Sequence, residues 1–412
     1  MYHFKESCMK LCMNDVLYAI SDALDCVEHE YLGATTYHAR RVAFLSAITG
    51  KALGLDDRSL LNLTACAVLH DNALTEYGLS ELRHGVDLDK SPKLFQLRDH
   101  CEIGERNVQA MPFYQSCPDV ILYHHEQADG NGPFHKKTAD TPLLARLIHL
   151  GDAIDINISM HDFSEDKYRK VTDFVSSGRG SLFDEEITDA FLSCFTSEAM
   201  QSISGDEVRR TLHDMLPVIV NDYLPQQMTR ISAMFAHIID FKSEFTSHHS
   251  TGIALKAAEL GRYYGYNEEM QSRMYFTGAV HDIGKLSIPA AILEKPEKLT
   301  HEEFTIIQQH ALITYEILRQ VTGLEEITDW ASFHHEKLDG TGYPFHKTAA
   351  ELNHMERLFA CLDIYQALTE NRPYKKAFSH AEALRILYEN AADGKLDANI
   401  ITDIDICFRH EA

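Results

Sequence analysis

The sequence predicts an all-α protein made of two tandem helical domains. Apolar residues recur at helical spacing, as where Ile253, Ala257 and Leu260 step by four and then three residues. No comparable run has the period of two that is typical of half-buried strands, although short β pieces at the turns stay open. The spacing of histidines and aspartates in the first half of the chain also returns in the second half.

The composition is that of a globular protein in water. Its 412 residues leave room for two domains that each bury a core, and 45% of them are hydrophobic. No apolar run approaches the roughly 18 to 20 residues that a membrane helix needs. The N-terminus, interrupted by Lys5, Glu6 and Lys10, lacks the apolar segment of a signal peptide. We therefore expect a cytoplasmic protein with no membrane partner.

The formal net charge of -24 limits the class of ligand. Duplex nucleic acid is not expected, because proteins bind it largely by neutralising phosphates with Lys and Arg. A small phosphorylated ligand stays compatible with this charge, since a bound dication supplies local positive charge.

The nine cysteines form an odd and scattered set without a Cys-x-x-Cys pair. This usage favours small buried side chains in a reducing compartment. Cys8 and Cys12, which would lie one helical turn apart, are an alternative soft-metal or redox pair, but no second pair accompanies them.

The predicted helices lie between glycines and prolines spread along the chain. These breaks are Gly33, Gly54, Pro92, Pro112, Pro142, Pro217, Pro225, Pro296, Gly323 and Pro373.

An internal repeat organises the histidines and aspartates. The first set is His38, His70, Asp71, His100, His124, His125 and Asp152, and the second is His249, His281, Asp282, His310, His334, His335 and Asp363. Successive gaps are 32, 30, 24 and 27 residues in the first set and 32, 29, 24 and 28 in the second. The stretch from about 160 to 240 lacks these motifs, so we predict domains at 1–222 and 223–412.

The residue types in this repeat indicate metal binding. Several imidazoles with carboxylates suit zinc, iron, manganese or nickel. A His-Asp dipeptide on a helix directs its side chains about 100° apart, so Asp282 can bridge two ions while His281 serves one. Asp363 lies in an apolar helical stretch, where an unpaired buried carboxylate would be costly. A bound metal would explain a carboxylate at this position. The alternative is that Asp363 is exposed or forms a salt bridge.

Two long motifs in the second half carry a family resemblance. They are His281-Asp282-x-Gly284-Lys285 and His334-His335-Glu336-x-x-Asp339-Gly340-x-Gly342-Tyr343-Pro344, followed by Asp363 and by Arg372-Pro373-Tyr374. This pattern resembles the HD-GYP family of the HD metal-dependent phosphohydrolases. The resemblance covers about 240 to 395 closely and, through the repeat, about 30 to 160 in degraded form.

The resemblance implies a helical fold and a centre of two metals, commonly iron or manganese. It assigns His249, His281, Asp282 and Asp363 to one ion, and Asp282, His310, His334 and His335 to the other. Asp282 and Lys285 would be catalytic, Lys285 and Arg372 would face substrate phosphates, and Gly342 and Tyr343 would lie on the substrate side. Some members hold a third metal through a glutamate, but that position is Phe245 here, with Glu244 one residue off register.

The first domain keeps the metal positions and loses the others. Ala73-Leu74 replaces Gly284-Lys285, and Gly132-Pro133 replaces Gly342-Tyr343-Pro344. A second metal set is therefore expected at His38, His70, Asp71, His100, His124, His125 and Asp152. We interpret this domain as structural or regulatory and weakly active at most, with a distinct activity on another substrate as the alternative.

The resemblance predicts a phosphodiesterase that opens cyclic di-GMP or 3'3'-cyclic GMP-AMP to a linear dinucleotide, and in a further step to mononucleotide. A non-catalytic receptor for the same ligand is the main alternative, acting through partner proteins or as a homodimer. A di-iron oxygenase is less well supported, because Lys285 and the Gly342-Tyr343-Pro344 segment favour phosphate chemistry.

Overall fold

The computed structural model describes residues 8–32, 36–74, 76, 98–109, 111–113, 115–242, 248–295, 297–371 and 376–409. These residues form two compact units. We call Met13–Ile219 the N-terminal lobe, and the chain from Val220 onward together with Met9–Cys12 the C-terminal lobe. The predicted all-α class is confirmed, since helices dominate the described residues of both lobes. The predicted roles of the domains 1–222 and 223–412 stay predictions.

The N-terminal lobe is built from helices alone among its described elements. They are α1 Met13–Leu32, α2 His38–Ala52, α3 Asp57–Val68, α4 Arg98–Val108, α5 Leu143–Asn157, α6 Glu165–Ser177, α7 Glu185–Cys194, α8 Ser197–Ser202 and α9 Glu207–Met215. A short 3-10 helix, Thr138–Asp140, precedes α5. Helix α2 packs against both α3 and α5, and His38 at the start of α2 contacts Asp152 on α5.

The C-terminal lobe repeats this arrangement. Its elements are β1 Met9–Cys12, β2 Val220–Tyr223, α10 Pro225–Asp240, α11 His249–Tyr263, α12 Glu268–Val280, α13 Ala290–Leu293, α14 His301–Leu318, α15 Glu325–Ser332, α16 His354–Thr369, α17 His380–Ala392 and α18 Ala398–Phe408. A 3-10 helix, Ile283–Ser287, follows α12 and packs on α14. Helix α11 packs on α12 and α16.

Capping residues fix where two helices of the site begin. The Thr300 hydroxyl accepts a hydrogen bond from the Glu303 amide at 3.2 Å, and the Glu303 carboxylate accepts one from the Thr300 amide at 2.7 Å. Asn353 and Glu356 form the same reciprocal pair at the start of α16. Each such cap stabilises a helix start by about 1 kcal/mol. They set the registers of α14 and α16, and with them the positions of the site residues on both helices.

A small sheet joins the beginning of the chain to the C-terminal lobe. Strands β1 and β2 pair antiparallel, with Met9 opposite Tyr223 and Cys12 opposite Val220. The helical spacing expected of Cys8 and Cys12 is wrong, because Met9–Cys12 is extended. Four-residue strands carry too few alternations to show a period of two, so sequence reasoning missed this pairing.

Among the described helices, none combines the length and the apolar character that crossing a membrane would take.

Candidate metal centres

The C-terminal centre collects side chains from three helices and two connections. Helix α11 opens with His249, the turn after α12 carries His281 and Asp282, and α14 supplies one histidine from its middle. The predicted residues that converge are His249, His281, Asp282, His310, His334, His335 and Asp363. The structure therefore brings together every metal position predicted for this half of the chain.

The converging side chains form two clusters with Asp282 between them. One contains His249, His281 and Asp363, whose ligand atoms lie within 4.8 Å of one another, as do those of His310, His334 and His335 in the other. Asp282 Oδ2 lies 3.2 Å from His281 Nε2, whereas Oδ1 lies 3.3 Å from His310 Nε2. Each carboxylate oxygen thus faces a different cluster, which is the arrangement that a bridging ligand needs.

Backbone carbonyls orient three of the histidines. The Nδ1 atoms of His281, His310 and His334 donate to carbonyls three residues earlier, at 2.8, 2.6 and 2.5 Å. A histidine that donates through Nδ1 keeps a lone pair on Nε2, and such partners fix the ring that binds a metal. All three Nε2 atoms are therefore available to the interior of the centre.

Electrostatics leaves most of the centre in the protonation states that metal binding requires. Burial opposes ionisation of Asp282, but the neighbouring His281 and Lys285 outweigh it and hold its pKa well below the usual range. Burial lowers the pKa of His310 to about 3 and that of His335 to about 4. At neutral pH the carboxylate is ionised and both imidazoles are neutral, as for metal ligands generally.

His249 departs from this pattern. Burial alone would lower its pKa, but hydrogen bonds to Asp363 and Glu370 raise it to about 9. Its Nε2 lies 3.0 Å from Asp363 Oδ1 and its Nδ1 lies 3.2 Å from Glu370 Oε2. A cation at this cluster would displace the proton on Nε2, so binding there should release a proton.

Buried polar atoms at this centre fit a bound cation. Asp282 Oδ1 and His281 Nε2 are buried and have no hydrogen-bond partner among the described residues. Leaving such atoms uncompensated costs several kcal/mol, roughly 2 to 7 for a polar group in an apolar setting. Divalent ions coordinated by imidazole and carboxylate would remove that cost, and the donor set suits iron, manganese, nickel or zinc.

The predicted substrate-side residues lie at the edge of the centre. Lys285 Nζ donates to Asp282 Oδ2 at 2.5 Å, and 18% of the lysine side chain is exposed. The Tyr343 ring lies 4.7 Å from the His335 ring. Gly342 has a packing role, because a Cβ there would lie 2.4 Å from the Lys337 amide nitrogen.

Three predicted positions fall outside the described residues. They are Arg372, expected to face a substrate phosphate, and Phe245 and Glu244, which bear on a third metal. Their roles stay predictions.

Sequence reasoning missed two buried or half-buried carboxylates that organise this centre. Glu336 accepts hydrogen bonds from the Phe345 amide at 2.7 Å and the Lys347 amide at 3.0 Å, and so holds the segment that carries Tyr343. Glu370 contacts His249. A signal existed for both, since Glu336 follows the histidine pair directly and Glu370 lies two helical turns after Asp363.

The N-terminal lobe builds a corresponding centre from its own seven predicted residues. His38 Nε2 lies 3.3 Å from Asp152 Oδ1, and His70 Nε2 lies 3.4 Å from Asp71 Oδ2. The remaining histidines of the set, His100, His124 and His125, form a second cluster with Cys101. Every residue of this centre is buried.

The surroundings of the N-terminal centre differ from those of its counterpart. Asp155 accepts hydrogen bonds from Arg41 at 2.7 and 2.8 Å and lies 2.7 Å from His38 Nδ1. In the repeat register, Arg41 corresponds to Gly252 and Asp155 corresponds to Gln366 in the C-terminal lobe. Burial opposes ionisation of Asp155, but Arg41 and His38 lower its pKa to about 2. This lobe therefore has its own buried ion pair beside the first histidine.

Comparison with known proteins gives a family and several relatives. The profile of the HD domain matches residues 29–158 and 233–400. The chain is 29% identical to the 3'3'-cGAMP-specific phosphodiesterase 1 of Vibrio cholerae, over 94% of this chain and 90% of that protein. It is 27% identical to phosphodiesterase 3 of the same specificity and organism, over 82% of this chain and 73% of that protein.

One further relative matches a shorter part of the chain, and one solved structure has a similar fold. A cyclic di-GMP phosphodiesterase of Pseudomonas aeruginosa is 37% identical over 35% of this chain and 36% of that protein. A crystal structure of a cyclic GMP-AMP specific phosphodiesterase of V. cholerae has a TM-score of 0.67 and 20% identity, covering 98% of this chain and 99% of that one. The likeness in structure extends over both lobes.

Proposed function

This chain belongs to the HD domain family, and from that membership we propose that it is a metal-dependent phosphodiesterase that opens a cyclic dinucleotide to a linear product. The relatives that match most of its length are specific for 3'3'-cyclic GMP-AMP, which makes that compound the first substrate to test. Cyclic di-GMP phosphodiesterases among the relatives match 29% to 46% of the chain. The observation that carries the proposal is Asp282, whose two oxygens face separate histidine clusters next to Lys285.

The metal ligands of the proposed centre follow from the two clusters. His249, His281, Asp282 and Asp363 would hold one ion, and Asp282, His310, His334 and His335 would hold the other. When bound, such a pair of ions supplies a nucleophilic water at neutral pH and neutralises charge on the phosphate group.

The chain's own residues orient the substrate and balance its charge. Lys285 would meet a phosphate oxygen and offset negative charge that develops at phosphorus, as preorganised cations do in phosphoryl transfer. The side chain of His335 is 25% exposed, so the second cluster opens to solvent on that side. Tyr343 packs against His335 and would form one wall of the substrate site.

The proposal assigns catalysis to the C-terminal lobe. In the repeat register Leu74 occupies the position of Lys285, and Leu74 is only 3% exposed. A buried aliphatic side chain neither reaches a phosphate nor offsets charge. The N-terminal lobe then serves as a metal-holding structural or regulatory lobe.

One pair of matched variants tests this function. Purified protein supplied with manganese or ferrous iron should convert 3'3'-cyclic GMP-AMP or cyclic di-GMP to a linear product, separated by chromatography. Asp282→Ala should lower kcat/KM at least about 100-fold, because it removes the ligand common to both ions. Asp71→Ala, the same change in the N-terminal lobe, should retain turnover.

Other results would point elsewhere. Unchanged turnover in Asp282→Ala would remove this centre from the reaction, and loss confined to Asp71→Ala would move catalysis to the N-terminal lobe. Tight binding without turnover under every metal would favour the receptor. Oxygen uptake with a substrate that carries no phosphate would favour the oxygenase.

A further inference from the structure

A cysteine lies inside the second histidine cluster of the N-terminal lobe. Cys101 follows His100 on α4, and its Sγ lies 3.5 Å from His100 Nε2 and 4.0 Å from His124 Nδ1. With His125, these side chains offer four ligand atoms that all lie within 4.8 Å of one another. Cys101 is completely buried.

The C-terminal lobe has no thiol at this position. In the repeat register His100, His124 and His125 correspond to His310, His334 and His335, whereas Cys101 corresponds to Ala311. The N-terminal cluster therefore keeps the three imidazoles and adds a sulfur ligand where the other lobe has a methyl group.

Two distances around His100 suit a tetrahedral ion. Bonds of about 2.0–2.1 Å to nitrogen and 2.3 Å to sulfur hold the ligand atoms about 3.3–3.6 Å apart. His125 Nε2 lies 3.1 Å from His100 Nε2, close to this spacing, and Cys101 Sγ at 3.5 Å from the same nitrogen falls within it.

His124 has a second ring nitrogen, Nε2, which lies 3.7 Å from Asp71 Oδ1. Its Nδ1 donates to the Ile121 carbonyl at 2.5 Å, which leaves the lone pair on Nε2. That Nε2 is buried and has no hydrogen-bond partner among the described residues. A cation would compensate it.

The N-terminal cluster is less exposed to solvent than the matching cluster of the C-terminal lobe. The His125 side chain is 8% exposed, whereas that of His335, at the matching position, is 25% exposed. Structural zinc sites are closed by four protein ligands, and catalytic sites keep a position open for water or substrate. The N-terminal cluster has the closed form, and the C-terminal cluster has the open one.

We propose that His100, Cys101, His124 and His125 bind a thiophilic divalent cation of the zinc type in a closed site that stabilises the N-terminal lobe. Coordination exchanges the thiol proton for the cation, and the proton leaves to solvent. Asp71 then serves the neighbouring cluster of His38, His70 and Asp152. This inference goes beyond the proposed phosphodiesterase, and it does not depend on turnover in the other lobe.

Cobalt(II) tests the sulfur ligand directly, because thiolate ligation produces an intense sulfur-to-cobalt charge-transfer absorption that imidazole and carboxylate do not. The full-length protein, stripped and reloaded with cobalt, should show this band. Cys101→Ala should abolish it, while Cys66→Ala, which removes another buried thiol of the same lobe, should preserve it. Absence of the band in the wild type, or its survival in Cys101→Ala, would overturn the proposal.

A second measurement needs no variant and holds if Cys101→Ala does not fold. Zinc X-ray absorption of the wild-type protein, with its metal sites saturated with zinc, should show a sulfur neighbour at about 2.3 Å. A shell of nitrogen and oxygen alone would overturn the proposal and leave Cys101 as a thiol hydrogen-bonded to His100. Neither experiment measures phosphodiester cleavage, so its outcome and that of the proposed function stay distinguishable.

Discussion

Lys285 lies beside the carboxylate that separates the two clusters of the C-terminal centre. The 3-10 helix Ile283–Ser287 places it one turn after Asp282, so that its ammonium group contacts that carboxylate and still reaches solvent. A fixed cation at this point is worth most where charge develops during the reaction, because it needs no reorganisation.

Lys285→Met should therefore lower kcat by about 100- to 1,000-fold, the usual effect of removing one group that stabilises transition-state charge. Metal content and Tm should stay close to the wild-type values, because methionine fills a similar volume. The measurements are steady-state kinetics and metal analysis. Lys170→Met, which removes an exposed lysine paired with Asp166 on α6, is the control. Loss of metal together with activity would mean that Lys285 positions Asp282 and does not act on the substrate.

Asp155 and Arg41 form a buried ion pair that gives the N-terminal lobe a specific acid sensitivity. The pKa of Asp155 is about 2 when folded, against an ordinary value of 3.8. Because the folded pKa is the lower one, this stabilisation is complete above about pH 4 and is lost as the pH falls towards 2.

Asp155→Asn should destabilise the lobe by about 3 kcal/mol at neutral pH, since Arg41 would stay buried without its charge partner. Between pH 5 and 2 the difference in free energy of unfolding between wild type and variant should narrow by about 2 kcal/mol, because Asp155 of the wild type becomes protonated and loses its charge. Urea unfolding at several pH values measures both quantities. Asp57→Asn, at an exposed position on α3, should change stability by less than about 0.5 kcal/mol. A gap that does not vary with pH would contradict this account.

At the scale of elements, the 3-10 helix Ile283–Ser287 lies against α14 so closely that only glycine fits at the crossing. A Cβ on Gly284 would lie 2.0 Å from the His310 carbonyl oxygen, which is backbone and cannot turn aside. The N-terminal lobe has Ala73 at this register and places a glycine, Gly104, on the opposing helix. In the C-terminal lobe the glycine at this close contact lies on the 3-10 helix, whereas in the N-terminal lobe it lies on the helix opposite, α4.

Gly284→Ala should cost about 3 kcal/mol of stability in the C-terminal lobe and should lower turnover, because the clash moves either His310 or Lys285. Gly104→Ala is the matched control. Its Cβ would meet the side chains of Ile121 at 3.0 Å and Asn72 at 3.2 Å, which can shift, so a cost near 1 kcal/mol is expected. Thermal unfolding and activity measure the difference. Equal costs in the two lobes would contradict the close backbone contact.

The elements that carry the two centres were only partly predictable from the sequence. The convergence of the histidines and aspartates was predictable, because metal chemistry admits few residue types and a repeat of those types at constant spacing stands out in the sequence. Asp155 was not predictable, because 62 acidic residues are spread along the chain and nothing in their periodicity separates a buried acceptor from a solvated one. For Glu336 and Glu370 the sequence offered only their positions after the histidine pair and after Asp363. The strand Met9–Cys12 was equally hidden, since its partner is remote in sequence.

At the scale of the whole molecule, the chain does not divide into lobes at a single point. Met9 and Leu11 are buried in the C-terminal lobe, although the residues that follow them belong to the other lobe. A destabilising substitution in Met9–Cys12 should therefore lower the stability of the C-terminal lobe, whose other residues lie more than 200 positions later in the sequence.

Leu11→Ala should cost about 2 to 5 kcal/mol, as expected for a fully buried leucine, and should weaken the C-terminal lobe. Native-state hydrogen exchange should show lower protection in β2 and α10 and little change in Met13–Ile219. Lys10→Ala, at the exposed neighbouring position of the same strand, should leave protection unchanged. Lower protection confined to the N-terminal lobe would show that β1 belongs to that lobe.

The pairing of Cys12 with Val220 also places the two ends of the N-terminal lobe at one end of a β-ladder. In topological terms, that lobe is an insertion between the strands of a hairpin. Domains whose termini lie close together are those that insertion tolerates. A two-residue turn such as Asn-Gly between Cys12 and Val220 has the geometry to close the hairpin. Joined in this way, the C-terminal lobe would be one continuous chain that keeps both strands of the ladder.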